Sequence, residues 1–217
     1  ENILLDHGVT KVEQTKTGVV VTCSNGKIVK ADKLICTVPT FSLKKIQWLP
    51  GLPKEKVDAI NQLQYARINK HPVLFSERFW PEDMDMVTDG PAHYFYHATK
   101  NQASPKGILI SYTIGDKAAA TANQDDNYHK AIINGALQPA FGDVGAKMEK
   151  QWNYYWGDDP FSRGAYALYK PGQWFTTRHT LAKPYLHTYF AGEHLADWQG
   201  FMEGAIVTGE AAAKMIM

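Results

Sequence analysis

The chain has 217 residues, of which 44% are hydrophobic, 21% charged and 12% aromatic, a composition typical of a folded protein with a substantial core. These proportions exclude a disordered tail and a collagen-like repeat. A small disulfide-stapled scaffold is also excluded, because the only two cysteines are Cys23 and Cys36. The 23 basic and 22 acidic residues leave a net charge of +1, which gives no indication of binding to nucleic acid or to an anionic membrane.

The N-terminal part of the sequence predicts strands joined by tight turns. Strands at Val19–Cys23 and 27–29 flank Asn25-Gly26, a dipeptide that favours a type I′ hairpin turn. The apolar run at 33–38 predicts a strand covered on both faces, as in the middle of an α/β sheet. Pro53 then opens a predicted helix over 54–63, because proline at the first helical turn costs no hydrogen bond.

The middle and the end of the chain predict a mixed set of elements. We predict strands over 66–75, 93–98, Gly107–Ile114 and 148–156, and a helix over 125–137. The C-terminal part predicts a short helix over 172–182, a buried strand at 188–191 and a terminal helix over 201–216. Strands at both ends that enclose a mixed middle indicate a domain interrupted by an insertion.

The start of the sequence and its lack of long apolar stretches bear on processing and on membranes. The chain begins at Glu1 rather than at a methionine, and we expect from this that it was processed, cleaved or separated from an upstream portion. No apolar stretch approaches the roughly 18 residues of a membrane span, so we expect a soluble protein with no membrane partner, in a compartment that the sequence leaves unassigned.

Common catalytic and metal-binding motifs are missing from the sequence. It contains no GxSxG, Walker lysine, HExxH or paired CxxC pattern. His93 and His97 are four residues apart, but the residues around them alternate as in a strand, so we predict no metal site.

The segment from Tyr189 to Ala205 is the most informative. A predicted buried strand reaches Gly192, the acidic Glu193 follows, and a helix begins near Gly200. Ligands of open α/β sheets lie beyond the carboxyl ends of strands, and N–H groups at a helix start can meet an electron-rich ring or a phosphate. Spacing alone leaves two interpretations open: a cofactor site, or a tightly packed strand and helix without a ligand.

Three stretches of this segment resemble the C-terminal signature of the flavin-containing amine oxidases: FAGE at 190–193, WQGFMEGA at 198–205 and GEAA at 209–212. Trp156 and the sequence DPFSRGAY at 159–166 resemble the family segment that lies against the flavin ring. The resemblance covers essentially the whole chain but only the second half of the family. It implies a mixed α/β fold, in which part of a Rossmann-like FAD-binding domain, at 1–42 and 164–217, is interrupted by part of a mixed-sheet substrate-binding domain at 43–163.

The resemblance also implies FAD as cofactor and assigns residues to it. Glu193 would contact the ribityl or pyrophosphate region, the Met202 backbone N–H would face the pyrimidine edge, and Trp156 would pack on the ring. Ala165 occupies the position of the cysteine that monoamine oxidases bond to the flavin, so FAD is expected to be held without a covalent link. The full set of expected cofactor-binding residues is Val9, Trp156, Gly192, Glu193, Gly200, Phe201 and Met202.

Catalytic roles follow from the same resemblance. Tyr166 and Phe201 would form two aromatic walls that guide the amine nitrogen, and Lys70 would hold a water beside flavin N5. In the family, the substrate passes a hydride equivalent to flavin N5, and O2 then reoxidises the flavin and gives H2O2.

The substrate class is inferred from two further stretches. Residues 161–166 and 170–173 resemble bacterial L-amino-acid oxidases and related amino-acid monooxygenases, so we expect oxidative deamination of L-amino acids. A monoamine or polyamine oxidase and an amino-acid monooxygenase stay open as alternatives, as does a non-catalytic flavin-binding subunit.

The half of the family that is missing here carries the GxGxxG turn that holds the pyrophosphate, and none of the 17 glycines forms that motif. We therefore expect a companion chain that supplies the nucleotide-binding half, either as a cleaved piece of one precursor or as a separate gene product.

Overall fold

The computed structural model describes residues 2–217, so Glu1, where a cleaved or processed start is expected, lies outside the described residues. Packing divides the chain into two units. The first joins Glu1–Tyr65 to Tyr166–Met217, and the second is Ala66–Ala165. The boundaries expected between the FAD-binding and substrate-binding parts, at residues 42 and 163, stay a prediction.

Both units contain strands and helices. The strands are β1 Val9–Gln14, β2 Val19–Cys23, β3 Ile28–Ala31, β4 Leu34–Cys36, β5 Gln47–Leu49, β6 Gln64–Tyr65, β7 Ile68–Phe75, β8 Asp85–Val87, β9 Tyr94–His97, β10 Gly107–Ile114, β11 Met148–Gln151, β12 Tyr154–Tyr155, β13 Ala167–Leu168 and β14 Thr188–Phe190. The helices are α1 Thr40–Leu43, α2 Lys54–Gln62, α3 Gly115–Ala122, α4 Asp126–Phe141, α5 Gln173–Ala182 and α6 Met202–Ile216.

The largest sheet of the first unit has the strand order β3-β2-β1-β5. Burial alternates along β2, because successive side chains of a strand point to opposite faces. Val19 and Val21 therefore point inward, where they share a core with Val12 and Trp48. The same core includes Phe190, so the early and the late segments of this unit pack around one hydrophobic core.

A second, parallel pairing joins β4 to β14, with Leu34 opposite Thr188 and Cys36 opposite Phe190. Because the two strands are parallel, their carboxyl ends meet at the same edge, where the Ala191 N–H donates to the Cys36 carbonyl oxygen at 3.1 Å. Burial of β4 is less complete than predicted, since Leu34 is only partly buried. This edge delivers the chain directly to Gly192.

A short antiparallel ribbon carries the chain out of the first unit and back. In it β6 pairs with β13, with Tyr65 opposite Ala167. The next pair outward, Ala66 and Ala165, is also joined, by an N–H to carbonyl hydrogen bond of 3.0 Å. We call residues 64–66 and 165–168 the neck.

A buried lysine ties α2 to the end of α5. Lys56 is only 4% exposed, and its Nζ donates to the carbonyl oxygens of Thr180 at 2.9 Å and Leu181 at 2.8 Å. The same Nζ lies 4.1 Å from the centroid of the Phe190 ring. Its aliphatic stem packs in the interior while its donors satisfy carbonyls in the last turn of a helix, which lack intrahelical partners.

The second unit is built on an antiparallel sheet of order β11-β7-β10-β9-β8, with β12 also paired to β7. One face carries Val73, Phe75 and Leu109, which pack with Ile133 and Leu137 of α4. Alternate residues of each strand point away from this core, so the other face carries Lys70 and Tyr112 together with aliphatic side chains such as Leu74 and Ile108.

The turn between β2 and β3 differs from the prediction, although the hairpin itself is confirmed. The Gly26 N–H donates to the Cys23 carbonyl oxygen at 3.0 Å, and the Cys23 N–H donates to the Lys27 carbonyl oxygen at 2.9 Å. Within this loop only Gly26 has a positive φ, at 84°, whereas a type I′ turn needs two such residues. The loop is a three-residue connection that ends in a left-handed glycine.

The second unit departs from the predicted elements at two places. Helix α3 was not predicted; its apolar residues are all alanines. The strand predicted over 148–156 is broken into β11 and β12, since the Asn153 side chain between them donates to the Ala122 carbonyl oxygen at 2.6 Å. Within residues 2–217, none of the helices combines the length and the apolarity needed to cross a bilayer.

Candidate active site

The chain makes a tight turn immediately after the parallel strand pair. Gly192 has a φ of 135°, and a Cβ at this position would lie 2.9 Å from the His194 ring, so only glycine fits. Residues Glu193–Leu195 then form one 3-10 turn. The His194 side chain is 5% exposed, and burial lowers its pKa to about 4. The first residues after β14 are therefore packed rather than free to move.

The carboxylate of Glu193 links this turn to two other segments. Its Oε1 accepts the Gly200 N–H at 2.5 Å and the Ala167 N–H at 3.2 Å, and its Oε2 makes a longer contact of 3.4 Å with the Ala167 nitrogen. Burial raises the pKa of Glu193, while the two N–H donors act in the opposite direction. A carboxylate that is half-buried in this way is expected to be paired with donors.

Helix α6 begins without a side-chain cap. Phe201 occupies the N-cap position and makes no capping hydrogen bond, so N–H groups of the first turn stay available to a ligand. Phe201 is 66% exposed and Met202 is 85% exposed. Free helical N–H groups beside exposed apolar side chains fit a flat ring with an electron-rich edge, such as a flavin.

Tyr166 lies against the glycine that precedes this helix. Gly200 has a φ of 86°, and a Cβ there would lie 3.4 Å from Cγ of Tyr166. Tyr166 is 37% exposed. The first unit thus brings Tyr166, Glu193, Gly200 and Phe201 together through direct contact or adjacency in the chain.

Lys70 belongs to the second unit, on the face of the sheet away from its core. Its Nζ donates to the Tyr96 hydroxyl at 3.0 Å. The same atom lies 4.3 Å from the centroid of the Tyr112 ring and 5.2 Å from that of Tyr96. Tyr112 is the direct cross-strand partner of both Lys70 and Tyr94. Strand β7 is an interior strand, so Lys70 is held among aromatic side chains instead of extending from a sheet edge.

Trp156 also lies in the second unit, at the end of β12. Its N–H donates to the Ile68 carbonyl oxygen at 3.0 Å, and its ring meets the Tyr154 ring edge to face at 4.7 Å. The loop that follows is organised by Asp159, whose Oδ1 accepts the N–H groups of Phe161 and Ser162 at 3.0 and 2.8 Å. The hydrogen bond from the Ser162 hydroxyl contributes most to holding the pKa of Asp159 below its ordinary value, and the two N–H groups add to this effect.

A family model described as flavin containing amine oxidoreductase matches residues 1–217. The chain belongs to the flavin-containing amine oxidoreductases. Membership of this family implies a flavin cofactor.

Sequence relatives of this amine oxidoreductase chain match almost all of it. The L-amino-acid oxidase of Echis ocellatus is 26% identical over 226 residues, which cover 99% of this chain and 45% of that protein. The L-amino-acid oxidase of Siganus canaliculatus is 28% identical, with 99% and 43% covered. Lysine-specific histone demethylase 1 homolog 2 of Oryza sativa subsp. japonica is 27% identical, with 99% and 30% covered. The chain spans less than half the length of these relatives.

Solved structures of amine oxidases share the fold. Putrescine oxidase bound to putrescine superposes with a TM-score of 0.90 at 22% identity, over 100% of this chain and 49% of that one. Cyclohexylamine oxidase from Brevibacterium oxydans IH-35A gives a TM-score of 0.88 at 20% identity, over 98% and 48%. The predicted mixed α/β fold, part of a flavin-binding oxidase fold, is confirmed.

Two more residues named in the sequence analysis, Val9 and His97, have been located. Val9 begins β1 opposite Cys23 and is partly exposed, and its predicted backbone contact with adenine stays a prediction. His97 bonds to the Glu82 carbonyl oxygen and to the Thr99 hydroxyl, both at 3.2 Å. Among residues 2–217, no group of three or more His, Cys, Asp or Glu side chains gathers as a metal site.

Sequence reasoning missed two partners of the predicted residues. One is Tyr96, whose hydroxyl bonds to Lys70, and the other is Ala167, whose N–H bonds to Glu193. The alternation of Tyr94 and Tyr96 indicates that both lie on one face of a strand, which was a usable signal. The Ala167 contact uses only the backbone N–H of that residue, so the identity of residue 167 gives no sign of it.

Proposed function

We propose that this chain forms part of an FAD-dependent oxidase that oxidatively deaminates L-amino acids. The observation that carries the proposal is the loop from Gly192 to Phe201, in which two positive-φ glycines and a half-buried carboxylate lead to an uncapped helix start beside Tyr166. L-amino-acid oxidases that match 99% of this chain support an amino acid as the substrate.

The chain's own residues would bind and orient. When bound, the flavin supplies the oxidation of the substrate C–N bond and passes the electrons to O2, which gives H2O2. Tyr166 and Phe201 flank the amine nitrogen, and Phe201 offers an apolar wall because it has no hydroxyl. The Met202 N–H, at the positive end of α6, would stabilise negative charge on a bound flavin. Lys70, fixed by Tyr96 and Tyr112, would hold the water that the family resemblance assigns to it.

The cofactor is proposed to be non-covalent FAD. Ala165 stands where a flavin-bonded cysteine would be, and a methyl group cannot form such a bond. Gly192, Glu193, Gly200 and the N–H of Met202 would then hold the cofactor by contact alone, together with Trp156 against the ring and Val9 toward the adenine.

The nucleotide-binding turn is proposed to come from polypeptide outside these residues, in line with the expected companion chain. Supporting this, parallel sheets normally have more than two strands and helices on both faces, whereas β4 and β14 form a pair. Helix α6 also carries exposed apolar side chains, with Ile206 at 56% and Val207 at 53% exposure. Such surface is typical of a face that another segment covers.

The experiment is a peroxide assay on the native protein, with panels of L-amino acids, monoamines and polyamines, and with added catalase as the control. We expect H2O2 with one or more L-amino acids and an oxidised-flavin absorbance spectrum before substrate is added. Turnover of amines or polyamines alone would contradict the amino-acid proposal, and a flavin-free preparation without turnover would favour a non-catalytic subunit. Native mass spectrometry of the active sample tests the companion: full activity and flavin content with these 217 residues alone would contradict it.

A further inference from the structure

The two aromatic walls of the proposed site sit on separate segments of the first unit. Tyr166 directly precedes β13, and Phe201 directly precedes α6. Phe201 is 66% exposed and Tyr166 is 37% exposed, so burial holds the Tyr166 side chain only in part and the Phe201 side chain hardly at all. Their separation therefore depends on the backbone next to each ring.

One carboxylate joins those two stretches of backbone. Glu193 Oε1 accepts the N–H of Ala167, the residue after Tyr166, and the N–H of Gly200, the residue before Phe201. Hydrogen bonds to an ionised acceptor are roughly twice as strong as neutral ones. No salt bridge to Glu193 is found in the described part of the chain, so its charge is balanced locally by backbone donors.

We call the two hydrogen bonds from Ala167 and Gly200 to Glu193 the clamp, and both of its ends are held by the surrounding structure. Ala167 is paired with Tyr65 in the neck, and Gly200 lies against the Tyr166 ring, since a Cβ there would be 3.4 Å from Tyr166 Cγ. Glu193 itself belongs to a 3-10 turn next to the buried His194. A shift of either aromatic residue's backbone must therefore stretch a hydrogen bond to the same carboxylate.

We propose that Glu193 is a positioning residue, whose carboxylate fixes the spacing of Tyr166 and Phe201 by holding the backbone N–H groups of Ala167 and Gly200. The inference rests on the proposed function, because that spacing matters as the passage for the substrate amine. It adds a backbone-holding role to Glu193 beyond its expected contact with the cofactor. The longer Oε2 contact leaves that oxygen the weaker part of the clamp.

The test compares Glu193→Ala and Glu193→Gln in the native, assembled protein. Residue-resolved amide exchange is measured at Ala167 and Gly200, and kcat and KM are measured at matched flavin occupancy. In Glu193→Ala both amides should exchange about tenfold faster or more, which is the size expected for a lost hydrogen bond to a charged acceptor. We expect kcat/KM to fall by a similar factor. Glu193→Gln keeps an acceptor oxygen and should stay within about threefold of the wild type on both measures.

A matched control is Glu210→Ala, which removes an exposed carboxylate from α6 and should change neither measurement. Wild-type exchange at both amides in Glu193→Ala would overturn the proposal, as would a Gln variant impaired as much as the Ala variant, since that would indicate a role of charge. If Glu193→Ala does not fold, Glu193→Asp replaces it: the shorter carboxylate should release one amide, and wild-type exchange at both would overturn the clamp. If the wild type oxidises no amine, the proposed function fails, and the exchange data alone still decide the clamp.

Discussion

Gly200 combines a left-handed backbone with an aromatic neighbour. A side chain in that conformation costs about 1–2 kcal/mol, and its Cβ would lie in van der Waals contact with the Tyr166 ring, 3.4 Å from Cγ. We therefore expect Gly200→Ala to lower the free energy of unfolding by about 1–2 kcal/mol, because of the positive φ, as measured by denaturant unfolding.

The control for this change is Gly209→Ala, in the middle of α6, where a Cβ would meet nothing within 4 Å. Alanine there should raise the free energy of unfolding by up to about 1 kcal/mol, because alanine favours a helix more than glycine does. Equal destabilisation by the two substitutions would contradict the strain assigned to Gly200.

Lys70 offers a second change at the scale of one side chain. Lys70→Met keeps an unbranched apolar stem but removes the Nζ that bonds to Tyr96 at 3.0 Å. If this amine orients a water in the reaction with O2, reoxidation of the reduced flavin should slow by about a hundredfold, as for loss of a positioned proton-transfer group. Flavin reduction by substrate should change much less.

Stopped-flow absorbance measures both half-reactions of the Lys70 variant. Lys100→Met, which alters an exposed lysine of the same unit, serves as the control and should leave both rates unchanged. Equal reoxidation rates in Lys70→Met and wild type would reject the role.

The sequence predicted the residues of the candidate site more readily than their partners. Gly192, Glu193 and Gly200 stand within nine residues of one another, so one motif indicates all three. The contact of Glu193 with Ala167 joins residues that are 26 apart in the chain, as does the bond between Lys70 and Tyr96. Such pairs depend on which strands become neighbours, and local pattern does not determine that.

At the scale of elements, one buried amine adds two hydrogen bonds to the apolar packing between α2 and α5. Lys56→Met should lower the free energy of unfolding by about 1–3 kcal/mol, because the carbonyls of Thr180 and Leu181 lose their donor in a buried setting. Chemical denaturation monitored by circular dichroism measures this change.

Lys54→Met is the matched control on the same helix. The Lys54 side chain is 88% exposed and pairs with Asp58 at 2.7 Å, and surface ion pairs contribute little. The control should therefore leave stability near that of the wild type. A Lys56 variant as stable as the Lys54 variant would show that other groups satisfy the α5 carbonyls.

Predicted and observed elements agree best where one residue pattern dominates. Strand β10 has the predicted bounds, and its burial alternates from residue to residue along the strand. Helix α4 was predicted to end near 137 but continues to Phe141 past Pro139. Helix α3 was missed because alanine favours a helix without marking a buried face. Elements whose limits depend on tertiary contacts were the ones misplaced.

For the whole molecule, His194 predicts a loss of stability in acid. Burial lowers its pKa from 6.5 to about 4 in the folded state. Between these values the unfolded chain binds a proton that the folded chain does not, so the free energy of unfolding falls as the pH falls from 6.5 toward 4. The contribution of His194 to this fall should be about 3 kcal/mol, and above pH 6.5 it should be constant.

Urea unfolding at a series of pH values measures this contribution. His194→Gln should flatten the slope between pH 6.5 and 4, while His179→Gln, at an exposed position, should leave it unchanged. Some slope will remain in His194→Gln, because burial and the neighbouring His129 also lower the pKa of His71. A His194 variant with the full wild-type slope would contradict the assignment.

The neck has a consequence for how such proteins diversify. The chain enters and leaves the second unit, Ala66–Ala165, at two residues that are hydrogen-bonded to each other. Insertions whose ends lie side by side are tolerated well, because the host's own pairing is undisturbed by what the insertion contains. Changes of length or sequence beyond the neck can therefore accumulate, or be exchanged between relatives as a cassette, while the glycine turns and helix start of the first unit keep their geometry.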